Sequence, residues 1–364
     1  MALKHTSMNK VHNYSAGPCI LPQEVMKEAS ESILNFNDLN LSLIEISHRS
    51  KDFIEVMEEA RSLVKEILEV PNGYQILFLQ GGASLGFLTA AYNMMSANKT
   101  GGYLVTGAWA KKAAKEGSFV GNSKVIASSE DQNYNYIPKN YLLGDDLDYF
   151  HVTSNNTIFG TQLKSLPNTN IPIVCDMSSD IFSKKINVSD YDLIYAGAQK
   201  NMGPAGTTLY IVKESVLESN AVSIPTMLNL KTHVDKDSMF NTPPVFAIYT
   251  SMLTLRWLKK NGGINWIEKL NQSKADLIYN EIDRNSLFKG TANVEDRSNM
   301  NATFDLTNSD VKEDFDKLLV NNNISGLKGH RSVGGYRASM YNALPLESVQ
   351  VLVNAMKELE NNKG

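Results

Sequence analysis

The sequence predicts an α/β fold, with a large domain built on a mostly parallel seven-stranded sheet and a smaller α/β domain at the C-terminal end. Three observations predict it. Short apolar, β-rich runs recur through the middle of the chain: YQILFL (74–79), GYLVT (102–106), KVIAS (124–128), YFHVT (149–153), IPIVCD (171–176), DLIYA (192–196) and TTLYIV (207–212). Their apolarity is continuous instead of alternating, as expected of strands covered by helices on both faces. Most connections between them can hold a helix, which favours parallel crossovers. The last connection, from Ala196 to Thr207, is shorter and leaves room for one antiparallel strand.

After Thr242 the pattern changes. Residues 245–260 (VFAIYTSMLTLRWLKK) carry apolar side chains at helical spacing, and the glycine pair 262–263 then punctuates the chain. Residues 264–284 read as a second amphipathic helix. From about 298 the order is strand, helix, strand, helix, closing in ESVQVLVNAMKELE. A division near Asn261 gives a large domain over 15–260 and a small one over 261–364, with residues 1–14 returning to the small one.

Composition narrows the function classes. A net charge of −4 with no clustered basic run gives no support for nucleic-acid or membrane-surface binding. Two cysteines, Cys19 and Cys175, stand far apart in no metal-ligand spacing, which suits a reducing cytoplasm. The first residues lack the apolar core of a signal peptide, and no apolar run approaches membrane-spanning length. A cytoplasmic protein with no resident metal is expected.

Several segments carry possible chemistry. In YAGAQKNMGPAG, Lys200 sits among small residues after a strand. It reads as an exposed lysine in a Gly/Pro loop, or as a Schiff-base lysine whose amine is kept neutral by low-polarity surroundings. Asp176 ends the strand run IPIVCD, at the sheet edge where open α/β sheets bind ligands, although aspartate at a strand end is also ordinary turn chemistry. Together they form the pair a pyridoxal phosphate site requires: a carboxylate that keeps the pyridine nitrogen protonated and a lysine that forms the imine. In LFLQGGASLGF a strand runs through Gly81, Gly82, Ala83 and Ser84 into a helix, which is a phosphate cup or a common ligand-free turn. Trp109 opens a helix after a strand and could stack on a planar ring or pack in the core. His330, Arg331 and Arg337 stand among glycines in GHRSVGGYRASMYN, and ISHRS supplies His48 and Arg49. Guanidinium groups grip carboxylates and phosphates in two-pronged fashion, so these suggest an anionic substrate as well as ordinary surface charge.

Taken together, the segments SAGP, SHRS, FLQGGAS, GAW, NNTIFGTQ, CDMSSD, AGAQKNMGPAG, FNTPPVFAIY and GHRSVGGYRASMYN resemble the phosphoserine aminotransferase family, fold-type-I pyridoxal phosphate enzymes of the class V aminotransferase group. The resemblance runs over nearly the whole chain. It implies that Lys200 holds the cofactor as the internal aldimine, Asp176 pairs with the pyridine nitrogen, and Gln199 hydrogen-bonds the ring hydroxyl. It places Thr157 against the ring substituents, Trp109 on the ring face, and Ala83 and Ser84 at the cofactor phosphate. The family's turn after the paired glycine sometimes carries an arginine. Here it is absent, which leaves backbone N–H groups and Ser84 to bind the phosphate. Asn241 and Thr242 would reach that phosphate from a neighbouring subunit, implying a homodimer with shared sites. Arg337 would hold the substrate α-carboxylate, Arg49 with His48 its distal acidic group, and His330 with Arg331 would add positive potential for its phosphate. The reaction implied moves the amino group of L-glutamate to 3-phosphohydroxypyruvate, in serine biosynthesis. The 4-phosphohydroxythreonine pair of pyridoxine biosynthesis is a further substrate of some members. Another reaction on the same scaffold, such as a lyase or cysteine desulfurase, and a catalytically silent cofactor-binding protein are the alternatives.

Overall fold

The computed structural model describes residues 10–218 and 223–363; residues 1–9, part of the segment expected to return to the small domain, lie outside the described residues. Each of the seven apolar runs forms a strand of one sheet: β1 Tyr74–Leu79, β2 Thr100–Val105, β3 Asn122–Ser128, β4 Tyr149–Thr153, β5 Ile173–Asp176, β6 Leu193–Gly197 and β7 Thr208–Lys213. Their order across the sheet is β1-β7-β6-β5-β4-β2-β3. β7 is antiparallel to both neighbours, and the other pairings are parallel. The chain from Gly197 to Thr208 is too short to cross back over the sheet, so β7 must start at the edge where β6 ends.

Side chains leave the strands alternately to the two faces. On β1, Ile76 and Phe78 join the core under α1 (Gln23–Leu34), α2 (Lys51–Ile67) and α5 (Val245–Lys260). Leu77 and Leu79 join the opposite core under α3 (Gly82–Met94) and α4 (Ala108–Gly117). Continuous apolarity along the runs thus reflects two covered faces. The exception is β3, expected to be buried on both faces. It is one of the two edge strands, and Val125 is 54% exposed.

α2 starts where Ser50 accepts a hydrogen bond from Phe53 N–H, a cap worth about 1 kcal/mol. α5 occupies Val245–Lys260, the stretch its periodicity predicts, and the glycine pair breaks it from α6 (Gly263–Arg284). α6 belongs to both halves of the molecule. Ile267 packs in the first core, while Ala275, Ile278 and Ile282 enter a second core. That core is built by a three-stranded antiparallel sheet, β8 (Phe288–Gly290), β9 (Asn301–Leu306) and β10 (Tyr336–Ser339), with α7 (Lys312–Asn321) and α8 (Leu346–Lys363). β8, too short to show a pattern, is missing from the sequence reading. His12–Asn13 pairs in parallel with Ile324–Ser325, and Tyr14 is fully buried in the second core, its hydroxyl donating to Ser348 O at 2.6 Å. No helix among the described residues is long and apolar enough to cross a membrane.

Candidate active site

The carboxyl ends of β1, β2, β4, β5 and β6 share one sheet edge, and there a cavity of about 410 Å³ opens. Asp176 is the last residue of β5 and pairs in register with Tyr195 of β6. β6 then ends at Gly197, and the chain turns tightly through Lys200, whose N–H donates to Ala198 O at 2.7 Å. The turn sends the lysine side chain back over the strand ends. Its Nζ donates to Thr157 Oγ1 at 3.0 Å and stands 5.9 Å from the Trp109 ring centroid.

Electrostatics set the two central groups apart from solvent. Burial pushes the Lys200 amine below its ordinary value, and Arg337 adds to this, while Asp176 opposes it. Burial pushes the Asp176 carboxyl up, against the nearby Lys200 and two hydrogen bonds from Ser178. Ser178 N–H and Oγ–H both donate to Asp176 Oδ1, at 2.9 and 2.6 Å, and Ser178 Oγ accepts from Gly197 N–H at 3.1 Å. One carboxylate oxygen is therefore fixed from below.

α3 supplies the phosphate-sized end of the cavity. Its N-terminus has no side-chain cap, and Gly81 before it has φ 103°, a left-handed conformation that costs other residues strain. Gly82, Ala83 and Ser84 line the cavity there, so the unpaired N–H groups of a helix start face it. Opposite, Gly17 lets the N-terminal segment pass close to the lysine: a Cβ at Gly17 would come within 3.3 Å of Lys200 Cγ.

The cavity thus gathers Ala83, Ser84, Trp109, Thr157, Asp176, Gln199, Lys200, His330 and Arg337. Arg337 lies on β10, with one terminal N–H donating to Thr157 O at 3.2 Å and a buried Nε that has no partner among the described residues. His330 is at the mouth. Partial burial, then the cations Arg337, Arg331 and Lys112, lower its pKa. Arg331 itself is exposed and off the lining. His48, half-buried with an Nε2 that has no partner among the described residues, and exposed Arg49 precede α2 and do not line this cavity. Asn241 and Thr242 lie outside it too, where Thr242 O accepts from Gln80 Nε2 at 2.5 Å. Residues not anticipated as site residues include Ala16, Gly17, Ser178, Gly197 and Thr207. Ser178 was discoverable, since a serine two positions after an aspartate is a local hydrogen-bonding pattern. Gly17 was not, because only the fold brings it to Lys200.

The model of the aminotransferase class-V family matches residues 11–352. The chain belongs to the class-V aminotransferase family. A phosphoserine aminotransferase from Flavobacterium psychrophilum is 66% identical over 353 residues, covering 97% of this chain and 99% of the relative. The structure of phosphoserine aminotransferase from Bacillus circulans subsp. alkalophilus superposes with a TM-score of 0.94 at 41% identity, over 98% of this chain and 99% of that one. The pyridoxal-phosphate-bound phosphoserine aminotransferase of Trichomonas vaginalis gives 0.90 at 35% identity, over 96% and 100%. This class-V aminotransferase is a pyridoxal-phosphate-dependent enzyme, and the residues present fit the cofactor. An uncapped helix start suits its phosphate, a buried carboxylate at a strand end its ring nitrogen, an indole its ring face, and a buried amine its aldehyde.

Proposed function

We propose that the chain is a phosphoserine aminotransferase, taking the amino group of L-glutamate and delivering it to 3-phosphohydroxypyruvate to form O-phospho-L-serine and 2-oxoglutarate. The observation that carries this reading is the single cavity in which Lys200, Asp176, Trp109, the α3 start and Arg337 converge, in a chain so similar to curated phosphoserine aminotransferases. When bound, pyridoxal phosphate supplies an electron-withdrawing ring that takes up the charge left when a Cα proton departs. Lys200 is the amine that attaches it, and on release its Nζ moves that proton as base and then acid, a role suited to an amine lowered by burial. Asp176, braced by Ser178, keeps the ring nitrogen protonated. Gln199 and Thr157 orient the ring substituents, Trp109 covers its face, and Ala83 and Ser84 hold its phosphate. Arg337, whose buried Nε lacks a partner among the described residues, takes the substrate α-carboxylate. His330 and Arg331 provide positive potential at the mouth for the substrate phosphate.

The complete site is shared by two copies. As the family resemblance implies, Asn241 and Thr242, which stand outside their own cavity, reach the phosphate in a partner's, and His48 and Arg49 meet the substrate's distal acid group. Exposed Leu85 and Met227 share a hollow with Asn241, an apolar surface suited to a second copy. The domain division near Asn261, a cytoplasmic setting and action on the 4-phosphohydroxythreonine pair belong to this reading. The cysteines favour no desulfurase. Cys175 is fully buried, and the Cys19 thiol donates to Lys200 O at 2.6 Å, with burial pushing it up to about 12.

The test is an assay of the purified protein with 3-phosphohydroxypyruvate and L-glutamate, against Lys200→Ala as control. O-Phosphoserine forms with the wild type and not with the variant. Equal product from both would refute the assignment.

A further inference from the structure

Behind the cavity lies a buried amide that this chemistry does not use. Asn201 follows Lys200 and is 5% exposed. Its Oδ1 accepts Asn342 N–H at 3.0 Å, and its Nδ2 faces Ser179 O at 3.4 Å and Met300 Sδ at 3.7 Å. Each partner belongs to a segment that carries or flanks the site. Ser179 is in the turn after Asp176, Met300 leads into β9, and Asn342 follows β10, the strand that bears Arg337. A leucine or methionine would fill the same space without desolvating an amide. What the amide adds is direction, since its hydrogen bonds fix where three backbone segments stand relative to one another. The backbone of the Lys200 turn is also held by the N–H groups of Lys200, Met202 and Gly203 on Ala198 O, by Ala198 N–H on Thr207 O, and by the Cys19 thiol on the Lys200 carbonyl, and none of these reaches β10.

We propose that Asn201 is a positioning residue for amino transfer: its amide holds the Lys200 turn in register with the Asp176 turn and the Arg337 strand. The amine that moves the proton and the guanidinium that holds the carboxylate then address one substrate atom set. This rests on the roles given to Lys200 and Arg337 under the proposed function. A second amide makes a natural control. Asn271 on α6 donates to Ser183 O at 3.1 Å and to Asn342 Oδ1 at 2.9 Å, bridging the same halves of the molecule without touching the lysine turn.

The experiment compares Asn201→Ala, Asn201→Ser and Asn271→Ala as holoenzymes. It reads cofactor stoichiometry, the pH midpoint of the visible absorbance of the bound cofactor, and kcat and KM for glutamate. A misplacement of an ångström or less is worth about 10- to 100-fold in rate. Both Asn201 variants should bind cofactor, shift the midpoint by about half a pH unit or more, a factor of about three in the proton equilibrium, and lower kcat about 10- to 100-fold. Asn271→Ala should lower the melting temperature while leaving the midpoint unchanged and kcat within about twofold, well under that range. If the alanine variant does not fold, the serine variant, which keeps a small polar group, gives the readout. A fully loaded Asn201→Ser enzyme with wild-type midpoint and kcat would overturn the proposal. So would an Asn271→Ala enzyme shifted as far as the Asn201 variants. If the wild type binds cofactor but forms no phosphoserine, the substrate assignment fails, while the midpoint still decides the role of Asn201.

Discussion

Asp176 shows what a single residue needs in order to act. It is 5% exposed, and burial alone would favour its protonated form. The two hydrogen bonds from Ser178 and the positive charge of Lys200 oppose that. In the proposed function, replacing the carboxylate removes the charge that keeps the ring nitrogen protonated. Asp176→Asn is therefore expected to slow substrate deprotonation by about three orders of magnitude or more, roughly 4 kcal/mol of barrier, in single-turnover absorbance. Ser178→Ala removes only one support. The folded-state pKa of Asp176 then rises further, so the ionised form is lost at a higher pH, and the acid limb of the kcat/KM profile should move to higher pH. A limb that stays in place would show that Ser178 does not tune Asp176. Residue type and position after a strand marked Asp176 and Lys200 as candidates, and the family resemblance chose between their alternatives. The bracing of Ser178 against Gly197 depends on two strands lying side by side, which no local pattern shows.

At the scale of elements, α3 would couple backbone conformation to ligand binding in the proposed site. Its uncapped start depends on Gly81 at φ 103°, and a Cβ there would fall 2.6 Å from Leu85 Cβ. Gly81→Ala must shift the first turn of the helix, at a cost of about 1–2 kcal/mol. Cofactor affinity is expected to fall about tenfold, the equivalent of that strain, with the loss read by fluorescence titration. An unchanged affinity would show that the first-turn amides do not hold the phosphate. The glycine pair and following helix could be recognised in the sequence, as could α5, whose boundaries match its apolar periodicity. β3 was misjudged for an equally local reason. Its run is as apolar as its neighbours, and being at the sheet edge is a property of strand order that a run of residues does not encode.

For the whole molecule, two kinds of order follow. The first is assembly. If each cavity is completed by a second copy, then Lys200→Ala mixed with the double variant Asn241→Ala/Thr242→Ala should regain activity. Half the dimers would be mixed, each with one intact site, giving about a quarter of wild-type activity by symmetry. No recovery after subunit exchange would show that the sites are not shared. The second is acid stability. His151 is fully buried, its Nε2 bonded to Tyr195 Oη at 2.7 Å, and burial lowers its pKa to about 3. The unfolded chain, at about 6.5, then binds more protons than the folded one between those values, so stability falls as pH drops from 6.5 toward 3. His151→Gln keeps a partner for the tyrosine but takes up no proton. Its melting temperature should decline less steeply than wild type between pH 6.5 and 4, and parallel curves would remove His151 as the cause.

The amino-acid sequence by itself determined the class of fold, the seven strands and the principal helices, which follow from short-range rules of periodicity and turn chemistry. It offered Lys200 and Asp176 as a candidate pair, and the family resemblance singled them out. The tertiary structure alone decided the order of strands, the passage of Gly17 beside Lys200, the placing of Arg337 against Thr157, and the amide of Asn201 that ties these segments together. These join residues far apart in the chain, and such contacts are selected by how the cores pack around the strand ends instead of by any local preference of the backbone.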